Sequence, residues 1–279
     1  MRLYDLNRMS KARLLWRFVF TRGRSHSYGS HPSQRGDLHL PAGEGPHPVV
    51  VLVHGGSWRS RYGKRVMRAL AGDLVARGWA VWNIEYRRVG EGGGWPATFE
   101  DVAAAVDLLA GLDPSLDLGR VAFLGHSAGG QLALWAAGRA DSALEPRAVV
   151  ALAGVCDLAG SYRAWNGGAV LGLMGGSPEA EPERYAHADP IARVPLGMPV
   201  LLVHGVRDEV VSVKFSRAYA DALRAAGGEV ELVEVEGEHG RHRAHIYPQG
   251  PGWGRVLEWL ASGAQELSPR ASSTSSLTP

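Results

Sequence analysis

An α/β domain built on a mainly parallel sheet flanked by helices is predicted by three features of the sequence. From about Pro48 onward, short apolar runs alternate with longer stretches of helical periodicity, the rhythm of βα units. Most of those runs are continuous rather than alternating, as strands covered on both faces require. The balance of 45% apolar and 21% charged residues over 279 positions is that of a globular chain with one large core.

The elements follow in order. Gly36-Asp37-Leu38-His39-Leu40-Pro41 alternates like an antiparallel edge strand, and Val49-Val50-Val51-Leu52-Val53 is the first fully apolar, β-branched run. Further buried strands are predicted at Ala80-Val81-Trp82-Asn83-Ile84, Arg120-Val121-Ala122-Phe123-Leu124, Ala148-Val149-Val150-Ala151-Leu152 and Val200-Leu201-Leu202-Val203. Val230 to Val235 alternates with Glu231, Glu234 and the following Glu236, the pattern of an outer strand with one wet face. Helical periodicity fills the intervals at about 65–77, 97–110, 129–139, 214–226 and 254–261, supplying the crossovers that parallel strands need.

The interval from Cys156 to Pro195 breaks the rhythm with Gly167-Gly168, Gly175-Gly176 and several prolines, and reads as a lid-like insertion over the sheet. Its Trp165, Leu171, Leu173 and Met174 are candidates for an apolar wall of a binding site, or for plain packing. The expected organisation is a basic segment over residues 1–27, one domain over 28–262 with the insertion at about 156–195, and a Ser/Thr-rich tail over 263–279 too poor in apolar residues to fold.

Composition excludes several classes of function. The net charge is +2 and the basic residues are dispersed, so no stripe for a phosphate backbone exists and nucleic acid is not expected as a partner. A single cysteine, Cys156, rules out an intrachain disulfide and fits a reducing, cytoplasmic setting. No apolar run approaches the ~18 residues of a membrane span. Arg17 interrupts the apolar stretch near the N-terminus and no small-residue cleavage site follows, so that stretch reads as mature chain. A membrane-touching N-terminal helix and a homodimer both stay open.

Chemistry is concentrated in four short stretches. Gly125-His126-Ser127-Ala128-Gly129 has the Gly-x-Ser-x-Gly spacing of a serine on a sharp strand-to-helix turn, between a buried strand and an apolar helix containing Leu132, Leu134 and Trp135. Ser127 is the candidate nucleophile. His54-Gly55-Gly56-Ser57-Trp58 follows the first buried strand, where glycines let backbone amides turn towards an oxyanion; Gly56, Ser57 and Ala128 are the candidate donors, with His54 as a prop for the loop. A neutral serine needs a base, and the base needs a carboxylate to fix its tautomer. Asp208, just past the strand at Val200, is preferred over Glu209 and Asp157. His239, just past the last strand, is preferred over His242 and His245, which read as surface histidines.

The order Ser127, Asp208, His239, together with Glu85-Tyr86-Arg87 and Trp95-Pro96-Ala97, resembles the α/β-hydrolase superfamily. The likeness is closest to its esterase/lipase branch with an HGG-x-W loop, which includes kynurenine formamidases and carboxylesterases. It runs from about Tyr28 to Ala261. The resemblance implies hydrolysis of a small carboxylic ester, or of an aryl formamide or peptide, through an acyl-enzyme, with neither a metal nor an organic cofactor. A silent hydrolase fold that only binds a ligand is the alternative of a different class. Relatives often carry an aromatic or acidic run after the histidine, whereas Gly240-Arg241-His242-Arg243 stands here and makes that turn basic.

Overall fold

The computed structural model describes residues 23–237, 241–250 and 252–263. Among these, eight strands form one sheet in the order β1-β2-β4-β3-β5-β6-β7-β8. The strands are β1 (Arg24–Ser27), β2 (Arg35–His39), β3 (His47–Val53), β4 (Ala80–Ile84), β5 (Leu116–His126), β6 (Ala148–Leu152), β7 (Val200–Gly205) and β8 (Val230–Val235). β2 runs antiparallel to both β1 and β4, and all pairs from β4 to β8 are parallel.

Each parallel strand splits its apolar run between two cores. In β3, Val49, Val51 and Val53 enter one core and Val50 and Leu52 the other; Val121 and Phe123 against Ala122 and Leu124 repeat the division in β5. This two-sided burial is why those strands read as unbroken apolar runs. Helices α2 (Ala97–Leu109), α3 (Ala128–Ala137) and α7 (Lys214–Ala225) pack on the first face, and α1 (Arg68–Ala76) and α8 (Trp253–Gly263) on the second. In α2 the buried Phe99, Val102, Val106 and Leu109 recur at helical spacing, one apolar stripe against the sheet.

The connection from β6 to β7 is made of three short helices, α4 (Leu158–Ala164), α5 (Gly168–Met174) and α6 (Pro182–Ala188). Leu173 and Met174 are core residues there, whereas Leu171 is exposed. With α2 on one side and α6 on the other, α3 is covered all round, and its ten residues are all buried. Phe99 meets Trp135 edge to face at 4.9 Å, and Gln131 Nε2 donates to the Ala188 carbonyl at 2.9 Å.

Two details differ from the sequence expectation. The strand at residues 36–41 is antiparallel as expected but lies inside the sheet, because β1 takes the edge beyond it. β1 escapes notice since its Arg-Ser-His-Ser is largely exposed and carries no apolar alternation. The parallel register pairs Val53 with Gly125, His126 with Leu152, Leu152 with Val203, and Gly205 with Val235. The loops after β3, β5, β7 and β8 therefore leave the sheet along one rim, the usual place for a site in an open α/β sheet.

Candidate functional site

Ser127 sits between β5 and α3 with φ 55° and ψ −121°, a region that costs a non-glycine residue about 1–3 kcal/mol. Flanking structure holds it there: Ser127 N–H donates to the Leu152 carbonyl at 2.8 Å, and Val155 N–H to the Ser127 carbonyl at 3.2 Å. The glycines around it answer to close approach. A Cβ on Gly125 would overlap the carbonyl of Gly129, and one on Gly129 the carbonyl of Val53. The spacing predicted from sequence is thus a packing requirement of the turn.

The loop after β3 presses against this turn, since a Cβ on Gly55 would lie 2.6 Å from the His126 carbonyl oxygen and 3.0 Å from Ser127 Cβ. Gly56, Ser57 and Trp58 all have positive φ, at 124°, 55° and 55°. Among the described residues neither Ser57 N–H nor Ala128 N–H takes a backbone acceptor, the latter because it opens a helix and has no carbonyl one turn back. Both are free to serve an incoming oxygen.

His54 is spent on supporting that loop. Its Nδ1 lies 2.8 Å from the Gly55 carbonyl and its Nε2 2.5 Å from Glu85 Oε1, so both nitrogens face acceptors. Its ring stacks on Tyr86 at 4.3 Å, and the Tyr86 hydroxyl donates to the His54 carbonyl at 2.8 Å. Burial pushes the Glu85 carboxyl up, but hydrogen bonds from His54 and Lys64 N–H and the Arg88 charge together hold it below the usual range. Trp58 extends the support inward: its Nε1 donates to Gln131 Oε1 at 3.2 Å, and Gln131 passes the link on to Ala188.

Asp208 has a fully buried side chain at the end of β7. Its Oδ1 accepts from Val210 and Val211 N–H at 2.8 and 2.9 Å, and its Oδ2 accepts from His242 Nδ1 at 2.8 Å. Burial raises its pKa, but hydrogen bonds from His204 and His242 outweigh it and keep the carboxyl well below the ordinary carboxylate range. His204 Nε2 is 3.5 Å from Oδ2 and 2.8 Å from the Val211 carbonyl, the better acceptor, while its Nδ1 meets Ser216 Oγ at 2.7 Å. His204 therefore braces the turn.

The histidine on Asp208 is His242, in a 3-10 turn over His242–Ile246. His239 lies outside the described residues. The expectation that His242 and His245 are surface histidines is corrected, since they are 7% and 4% exposed. With Nδ1–H committed to Asp208, His242 Nε2 has no partner among the described residues, the state required of a base. Its ring is 4.7 Å from that of His126, the residue preceding Ser127, and His126 Nε2–H donates to the His242 carbonyl at 3.0 Å. Burial, with the neighbouring His242 charge, pushes His126 down to about 3, so it stays neutral and pins the loop. His245 is likewise pushed down to about 4 by burial, and His204 adds to the effect.

The sequence reading singled out Ser127, the loop at residues 54–58 and Asp208 as candidates, and the structure gathers these on one rim. It missed the placement of His242, the double use of His54 and the Trp58–Gln131 link. The signal for His242 was present only as one of three nearby histidines, each a plausible distance past β8.

Comparison with known proteins agrees with this fold. The chain is 29% identical over 250 residues to esterase LipC of Mycobacterium tuberculosis, covering 75% of this chain and 57% of the relative. It is 29% identical over 243 residues to isoprenylcysteine alpha-carbonyl methylesterase ICME of Arabidopsis thaliana, covering 77% and 55%. The chain thus spans about half the length of these curated relatives. Among solved structures, esterase B from Lactobacillus rhamnosis superposes with a TM-score of 0.75 at 21% identity, covering 91% of this chain and 90% of that one, and so shares the fold. Residues 37–223, more than half of the chain, match the BD-FAE family, and the chain belongs to that family, on an α/β-hydrolase fold.

Proposed function

We propose that the chain is a serine-dependent carboxylic ester hydrolase in which Ser127 is the nucleophile, His242 the general base and Asp208 its orienter. The observation that carries this reading is the 2.8 Å hydrogen bond from His242 Nδ1 to a buried Asp208, with the ring beside the Ser127 turn. It fixes the tautomer that leaves Nε2 to accept the serine proton. Ser127 Oγ would attack the ester carbonyl, and the N–H groups of Gly56, Ser57 and Ala128 would receive the oxyanion. His242 would pass the proton to the departing alcohol and then activate water to release the acid. The esterase names of the relatives support the same reading. With Cys156 as its single cysteine, the chain suits a reducing cytoplasm.

The test is labelling with a fluorophosphonate probe, located by peptide mapping. Modification of Ser127 in the parent chain and none in Ser127→Ala is the expected result. Failure of the parent to label or to turn over any 4-nitrophenyl ester would remove the proposal. N-formylkynurenine run beside the esters separates ester from formamide cleavage.

A further inference from the structure

The basic turn after the last strand acquires a partner in the fold. Arg243, next to the proposed base, reaches the other side of the site: its Nη2 lies 3.5 Å from the Tyr62 hydroxyl and its Cζ 6.0 Å from the centre of that ring. Arg61 lies over the same ring at 5.8 Å. Tyr62 is seated on the oxyanion loop, for a Cβ on Gly56 would come within 2.9 Å of its ring carbon Cγ. Its backbone is anchored as well, its carbonyl accepting from Arg88, which is itself paired with Glu85 and Glu91. One fixed phenol ring, packed on the Gly56 loop, thus carries two guanidinium groups, one of them on the residue after His242.

Arg87 is paired with Asp101, Arg217 with Glu234 and Arg255 with Glu231, as is usual where a guanidinium only solvates a surface. Arg61 and Arg243 are exposed and have no carboxylate partner among the described residues. Arg35, Arg59, Arg65, Arg68, Arg147 and Arg207 are also exposed with no ion pair among the described residues, but only Arg61 and Arg243, among those residues, are gathered on one aromatic ring. Glu209, the exposed acid on the Asp208 turn, makes no ion pair with either among those residues. Guanidinium groups held over a ring keep N–H donors for a planar carboxylate, which they bind in pairs.

We propose that Arg61 and Arg243, arranged about Tyr62, form an anion-recognition site, and that the preferred substrate is an ester bearing a carboxylate remote from the scissile bond. This inference rests on the hydrolase reading above and names its substrate class. The experiment uses the full chain and two matched pairs of esters. Mono-4-nitrophenyl glutarate against 4-nitrophenyl butyrate puts the charge on the acyl side; 4-acetoxybenzoate against phenyl acetate puts it on the leaving group. The quantity read is the ratio of kcat/KM for the anionic ester over its neutral partner, so that intrinsic reactivity cancels between variants.

In at least one pair, that ratio falls by roughly five- to tenfold in the double variant Arg61→Gln/Arg243→Gln, the range of two exposed ion pairs. Arg243→Glu lowers it further, and salt at about 0.5 M shrinks the parent's preference through screening. A ratio unchanged in both pairs by the double variant and by Arg243→Glu overturns the proposal while leaving the hydrolase reading intact. Absence of turnover on all four esters, with no phosphonate label on Ser127, removes both.

Discussion

Replacing His242 by alanine, beside the same replacement of His239, tests the step on which the proposed mechanism turns. In His242→Ala the serine loses the group that takes its proton, and loss of the base in comparable triads costs about 10⁴–10⁶ in kcat. That is about 5–8 kcal/mol of transition-state stabilisation at 1.36 kcal/mol per factor of ten. The structural damage is much smaller. Asp208 loses the donor on Oδ2 but keeps Val210 and Val211 N–H on Oδ1, so the buried carboxylate is only partly stripped. An unsatisfied polar group of this kind costs about 1–3 kcal/mol, lowering Tm by several degrees in a chain of this size. At 25 °C the variant is folded and nearly inactive, and its Ser127 reacts with fluorophosphonate far more slowly. His239→Ala stays within about tenfold of the parent, because Asp208 Oδ2 already has its imidazole. The assay is hydrolysis of 4-nitrophenyl butyrate with thermal melts run alongside. Near-parental kcat in His242→Ala, with collapse in His239→Ala, would refute the assignment.

Other outcomes follow from the same contacts. Glu85→Gln weakens the prop beneath the oxyanion loop, and kcat falls about 10–100-fold with KM little changed, less than the loss of a direct oxyanion donor; equal effects on kcat and KM would point to a general packing defect instead. Gln131→Leu leaves Trp58 Nε1 and the Ala188 carbonyl without partners, lowering stability by about 1–3 kcal/mol in urea unfolding. Gly129→Ala forces a methyl onto the Val53 carbonyl and yields no soluble folded chain, as judged by expression and circular dichroism. Asp208 has a depressed folded pKa, so its contribution to stability is fully present above its unfolded pKa of about 3.9 and is lost as pH falls below it. Urea midpoints between pH 6 and 3 should fall more steeply for the parent than for Asp208→Asn; parallel slopes would exclude that contribution.

Much of this protein was legible before any coordinates. β3, β5, β6 and β7 announce themselves as unbroken apolar runs because strands covered on both faces have no polar side, and their two-core split in the structure is the reason. The Ser127 turn was legible because backbone crowding at Gly125 and Gly129 admits only glycine, a constraint written locally in the chain. The loop at residues 54–58 and Asp208 were singled out by their place just past such strands. β1 was not, since four exposed residues at a sheet edge leave no apolar signature.

Which histidine stands on Asp208 became visible only in three dimensions. His239, His242 and His245 all follow β8, and spacing along a loop says nothing about which ring turns back towards the sheet. That choice is made by contacts from elements distant in sequence: Asp208 after β7 and His126 at the end of β5 together fix both the ring and the carbonyl of His242. The same holds for His54, whose two nitrogens are claimed by its own loop and by Glu85 after β4. Local sequence determines where a strand ends and where backbone must be bare. Which polar side chains meet across the rim is a property of the sheet order, and strand order is set by packing among segments that the sequence keeps far apart.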